Sequence, residues 1–216
     1  MVYVLIIVAL FGALSFVLSR QTDTSEAGVI SEEQLEIYTA TIQQSTMQLK
    51  QAVEQLTFTG TNINDLDFVT SDQGTFNNPP FYDKVFHPAG GGVILPRIPD
   101  DAIDEDALVG TPAARWYIGR FIDVEWSPST ADDVILTAYQ LSEQVCARIN
   151  EKLTGSSAIP DLVGIAATDT ILLNSAGTVQ FTSAHCPACY GQQSLCVRDT
   201  STAEDNWSYY SLIAIQ

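Results

Sequence analysis

Positive charge is scarce in this chain: nine Lys and Arg stand against 26 Asp and Glu, giving a net charge of −17. A surface of that sign repels phosphate backbones and anionic headgroups, which excludes DNA and RNA as partners. Histidine is scarcer still, with only His87 and His185, so a Ser-His-Asp or Cys-His arrangement has little material. The glycine triplet Gly90-Gly91-Gly92 lacks the following Lys and Ser/Thr of a phosphate-binding loop. No pair of carboxylates stands out as a hydrolytic pair. The sequence therefore carries no catalytic constellation, and we read the chain as a non-enzyme without a cofactor. Low-complexity tracts are also missing and 46% of residues are hydrophobic, which excludes a disordered stalk.

The most informative absence lies in residues 1–19, MVYVLIIVALFGALSFVLS, which contain neither charge nor proline. A secretory signal peptide opens on positive charge and is removed, whereas here the first cation, Arg20, follows the run. We expect the mature protein to keep it. As a helix it spans about 28 Å, near the hydrocarbon thickness of a bilayer. Residues 20–30 form a polar junction containing Gly28, and Ser31-Glu-Glu-Gln34 has the capping-box pattern. Leu35, Tyr38, Ile42, Leu49, Val53 and Leu56, with Thr46 or Met47 between, then make one stripe of an amphipathic helix ended by Gly60. Residues 1–30 thus read as an apolar helix with its junction, 31–60 as an amphipathic helix, and 61–216 as a globular head.

Within the head, residues 61–112 hold so many Pro, Gly and Asn that they read as an extended, loop-rich wrap. Residues 115–126 alternate as a strand, with Trp116, Ile118, Ile122, Val124 and Trp126 on one face and Arg120 as the exception. A helix is expected next, capped by Ser129 or Thr130, striped by Val134, Ala138, Leu141, Val145, Ile149 and Leu153, and stopped by Gly155. Residues 170–174 and 178–182 read as a hairpin, and 207–215 as a closing strand. The expected fold class is α+β: a long N-terminal helix packed on a head with a mainly antiparallel sheet and a second helix.

Cys146, Cys186, Cys189 and Cys196 are an even set behind a membrane-targeting segment, which fits disulfides formed outside the cytoplasm. Three pairings are open. A four-ligand zinc site and a Cys186-Pro-Ala-Cys189 redox motif are the competing chemistries, and an oxidising compartment favours disulfides over both. The acidic stretch Asp100, Asp101, Asp104, Glu105, Asp106 suggests calcium by oxygen density, although its spacing does not match an EF-hand. Asn206-Trp207-Ser208 is a formal glycosylation sequon at the start of an expected strand.

The apolar run, its amphipathic continuation and the late cysteines together resemble the type IV pilin and pilin-like (pseudopilin) superfamily. The resemblance covers the layout of the chain, and its sequence-specific part is confined to about the first 20 residues. It implies a structural subunit of an extracellular pilus-like filament with a methylated N-terminal amine, held in the inner membrane before assembly. It implies a helical homo-oligomer whose core packs Met1, Leu5, Ala9, Gly12 and Phe16. Leu5 stands where the family carries Glu, and Thr22 where it often carries proline. These departures fit a divergent branch, including a minor pseudopilin of a secretion system. A membrane-anchored periplasmic binding or sensor domain is the alternative reading of the same span.

Overall fold

The computed structural model describes residues 30–104, 113–164, 168–174, 176–201 and 205–216. Met1, Leu5, Ala9, Gly12 and Phe16, expected in an assembly core, lie outside these residues. Among the described residues no helix is long and apolar enough to cross a membrane.

Helix α1, Glu32–Phe58, buries Leu35, Thr39, Ile42, Ser45, Thr46, Leu49, Ala52, Val53 and Leu56 along one face. Thr46, rather than the 61% exposed Met47, fills the gap in the apolar stripe. Its hydroxyl, like that of Ser45, donates to the carbonyl one turn earlier, so these polar positions enter the core without a lost hydrogen bond. Gly60, at φ 106°, provides the left-handed residue that ends the helix. Leu49 and Val53, fully buried, meet Val134, Leu136, Ile213 and Ala214 in one cluster. Truncating Leu49 to Ala is expected to cost about 2–5 kcal/mol, read by urea unfolding.

The sheet holds six strands: β1 Trp116–Val124, β2 Asp133–Leu141, β3 Asp161–Leu162, β4 Val179–Phe181, β5 Ser194–Asp199 and β6 Asn206–Ala214. Their order is β3-β5-β6-β2-β1-β4. The inner pairs β1–β2, β2–β6 and β5–β6 are antiparallel, while the outer pairs β1–β4 and β3–β5 are parallel. The expectation of a mainly antiparallel sheet is therefore corrected: the fold is α+β, but the sheet is mixed and strongly curled. The parallel strands are only two and three residues long, too short to leave an alternation that sequence could register.

The expected helix from Ser129 to Gly155 is half strand. β2 occupies its first part, and α2, Glu143–Thr154, begins only after the N-cap Ser142. Val134, Ile135, Leu136, Thr137 and Ala138 are buried on both faces of a central strand, so their apolar run satisfies helical periodicity by coincidence. The helix ends at Gly155 as expected, at φ 78°. The expected hairpin is absent, because Thr168–Leu172 is a π-helical turn. Asp199 Oδ2 holds its first amide at 2.7 Å, and Thr137 Oγ1 donates to Leu172 O at 3.0 Å, so the segment caps the sheet face instead of extending it.

β1 contains the most consequential irregularity. Gly119 pairs with Ile135 but Ile122 with Asp133, so one extra residue sits in β1 as a bulge. That residue flips the alternation: Trp116 and Ile118 pack with the α1-side cluster, whereas Ile122 and Val124 join the cluster on the opposite face. The single-faced stripe expected for β1 is thus split in two, and Arg120, its exception, lies within the bulge. A Cβ at Gly119 would stand 2.4 Å from Ile122 Cδ1 and 3.1 Å from the carbonyls of Leu172 and Asn174, so a larger residue there must displace the Ile122 side chain.

On the α1 side, α2 is joined to β5 by the Cys146–Cys196 disulfide. Asn150 accepts from the Cys196 amide at 2.8 Å and donates to its carbonyl at 2.9 Å, standing in for a neighbouring strand. Glu36 of α1 receives Arg148 Nε at 2.7 Å and Lys152, linking the two helices. Lys152, then Arg148, holds the Glu36 carboxyl below its ordinary value. The stabilisation from this cluster is complete above the ordinary Glu range and is lost as pH falls through the lowered folded value. Glu36→Gln is expected to lower the melting temperature modestly at neutral pH and to converge with the parent as pH falls, which flattens the acid limb of a pH series of thermal melts.

Candidate functional site

The cysteines were the first candidates for chemistry. They form two disulfides, Cys146–Cys196 and Cys186–Cys189, and none of the four is free. Cys186 and Cys189 are fully buried in the sheet-face cluster with Phe181, Leu195 and Tyr210. Cys186 caps only the three-residue turn Pro187–Cys189, so no long helix N-terminus is present to activate a thiolate there. His185 turns inward: its Nδ1 accepts the Thr182 amide at 3.2 Å and lies 3.0 Å from the Thr182 hydroxyl. In this bonded state the motif clasps the 182–192 loop.

The acidic stretch is dispersed. Asp100 pairs with Arg97 at 2.6 Å, and Asp101 accepts the Tyr38 hydroxyl at 3.3 Å. Asp106 lies outside the described residues, and among those residues no group of three or more His, Cys, Asp or Glu could hold a metal. Asn206, the sequon residue, is 7% exposed and its Oδ1 accepts from Ser208 Oγ, which places it inside the sheet.

Two further carboxyls have raised pKa values. Burial lifts Asp133, against the pull of hydrogen bonds from the Gln216 and Val124 amides. Burial also lifts Asp169, against a hydrogen bond from Tyr139. Asp199 uses both oxygens on backbone amides, of Thr168 and Ser201. These acids fasten turns to the sheet.

What the sequence did not reveal is a cleft of about 900 Å³ where the 67–95 wrap meets the first half of β1. Its walls divide by chemistry. Phe68, Phe86 and Trp116 supply aromatic surface, Thr70 to Gln73 supply a polar edge, and Arg115 and Arg120 supply positive charge. The guanidinium of Arg115 lies 5.0 Å over the Tyr117 ring and that of Arg120 lies 5.7 Å over Phe68. Arg120 Nη2 also donates to Asn64 O at 2.9 Å, and Trp116 Nε1 donates to Pro96 O at 2.8 Å. Asp72 accepts from the Thr70 hydroxyl, and that hydrogen bond is the main cause holding its carboxyl below the ordinary range.

The wrap is shaped for this role by two turns. Lys84, 3% exposed, directs its ammonium at the carbonyls of Thr75, Phe76 and Asn78. Gly90 and Gly91 fold back on that strand of loop so closely that a Cβ would stand 2.1 Å from Lys84 O and 2.5 Å from Val85 O. The one signal in sequence was Arg120 interrupting an apolar stripe; the bulge turns that interruption toward the cleft. No family model, no curated protein and no solved structure matches this chain.

Proposed function

We propose that this chain is a structural subunit of an extracellular pilus-like filament, assembled by packing of its N-terminal apolar helices. The observation that carries the reading is the use α1 makes of its apolar stripe. From Leu35 to Leu56 that stripe is buried within the chain itself, so α1 is a stem fixed to its own head. Subunit packing then falls to the uncharged residues 1–19, which precede α1 in sequence. Exposing such a helix to water costs about 25 cal/mol per Å² of apolar surface, so it leaves lipid only by packing on identical copies. Repeated head-to-tail packing of one surface type generates an open filament. Two disulfides support a head that works in an oxidising exterior.

Gly12→Leu tests the reading, because it raises the apolarity of residues 1–19 while blocking close approach of neighbouring helices. The parent chain is expected in filaments sheared from the cell surface and visible by negative-stain microscopy. The variant is expected to accumulate in the membrane fraction with filaments lost. Filaments that survive the substitution unchanged, or a parent chain that never leaves the membrane fraction, would sink the proposal in favour of an anchored monomeric domain.

A further inference from the structure

The cleft's charge is anomalous for this molecule. Cations are few, and Lys84, Arg97, Arg148, Lys152 and Arg198 each lie within 4.0 Å of a carboxylate. Arg115, Arg120 and Lys50 form no such ion pair among the described residues. Lys50 donates to Gln193 Oε1 at 3.3 Å, whereas Arg115 and Arg120 both line the same cleft, where Arg115 helps hold the Asp72 carboxyl down. The guanidinium planes of these two arginines rest against aromatic rings. A fork of donors held in this way matches a carboxylate geometrically. The remaining lining sorts ligands further. Trp116 Nε1 is committed to Pro96 O and the Tyr117 hydroxyl to Ala113 O, so these rings offer apolar faces rather than polar edges. Asp72 on the polar edge is a hydrogen-bond acceptor, already taking the Thr70 hydroxyl.

We propose that this cleft binds an acidic saccharide. The carboxylate of one sugar engages Arg115 and Arg120, its ring packs on the Trp116 and Phe68 aromatic lining, and its hydroxyls donate to Asp72. An acidic peptide brings carboxylates but neither hydroxyl donors for Asp72 nor a sugar ring for the aromatic lining. The cleft's volume of about 900 Å³ accommodates two or three sugar rings rather than a protein surface. This proposal is independent of filament assembly.

The test is titration of the purified full-length protein in detergent, followed by calorimetry. The ligands are tetragalacturonate, its neutral methyl ester and hexaglutamate. Tetragalacturonate is expected to bind, and the methyl ester to bind about tenfold or more weakly, since a charge-assisted contact is lost. Arg115→Gln, at an exposed position that leaves the fold intact, is expected to weaken tetragalacturonate by about tenfold while changing the ester little. Trp116→Phe keeps an aromatic face and is expected to retain binding, whereas Trp116→Ala, which also removes packing on the α1-side cluster, is expected to lose it. Equal affinity for acid and ester, no effect of Arg115→Gln, or tighter binding of hexaglutamate would each overturn the proposal. So would the absence of heat at about 10 mM tetragalacturonate, above the weakest range of specific sites.

Discussion

Replacing Cys146 and Cys196 together by alanine lowers the unfolding free energy by about 4 kcal/mol, against about 2 kcal/mol for the same change at Cys186 and Cys189. The two bridges make a controlled comparison. All four cysteines are fully buried, so the loss of packing is similar in both pairs. The bridges differ in the loop each closes: 50 residues of separation for Cys146–Cys196 and three for Cys186–Cys189. Chain entropy released to the unfolded state grows with the logarithm of that length, which yields the factor of about two. The longer bridge also fixes α2 to β5 beside Asn150, whose side chain completes the Cys196 backbone hydrogen bonds. Urea unfolding under non-reducing conditions measures both losses. Equal losses would mean that native packing, not loop closure, sets the worth of these bridges. For a domain whose whole stability is about 5–15 kcal/mol, losing the long bridge removes much of the margin.

The parts of the fold that were legible are those in which local signals agree with tertiary context. The α1 stripe, the stops at Gly60 and Gly155, and the closing strand β6 were all readable because spacing, capping and burial point the same way. β2 was misread because a strand buried on both faces loses its alternation, and Val134, Ala138 and Leu141 then fit a helical stripe equally well. Neither its pairing with β1 and β6 nor the left-handed Gln140, at φ 59°, leaves a trace in local pattern. β5 was overlooked because its centre is buried on both faces, with Leu195 and Val197 on one and the disulfide-bonded Cys196 on the other, so it carries no apolar–polar alternation. The cleft was hidden for a different reason. It arises where a breaker-rich wrap crosses a bulged strand, and neither element suggests a cavity alone. Arg120 was the residue that marked it, since a cation within an apolar stripe is a cost that some contact must offset.

Lys84→Met is expected to destabilise the protein by about 3 kcal/mol and to weaken saccharide binding although Lys84 does not line the cleft. The ammonium is nearly inaccessible and donates to three main-chain carbonyls, reaching Asn78 O at 2.7 Å and Phe76 O at 3.1 Å. Asp67, 3.9 Å away and 40% exposed, contributes little, so Asp67→Asn is expected to cost under about 1 kcal/mol. Methionine keeps the length of the stem but leaves the carbonyls of Thr75, Phe76 and Asn78 without their donor. The loop must then open to hydrate them, and its backbone bonds show what opens with it. Val85 N donates to Asp67 O at 2.9 Å, Gly91 N to Lys84 O at 2.9 Å, and Val93 N to Val85 O at 3.2 Å. Those bonds hold Phe68, Phe76 and Phe86 at the cleft wall. Hydrogen exchange at the Val85 and Gly91 amides is therefore expected to accelerate in Lys84→Met and to stay slow in Asp67→Asn. If Lys84→Met instead melts and exchanges like the parent, the wrap is held by its glycine turns and apolar contacts, and the buried cation is incidental to the cleft.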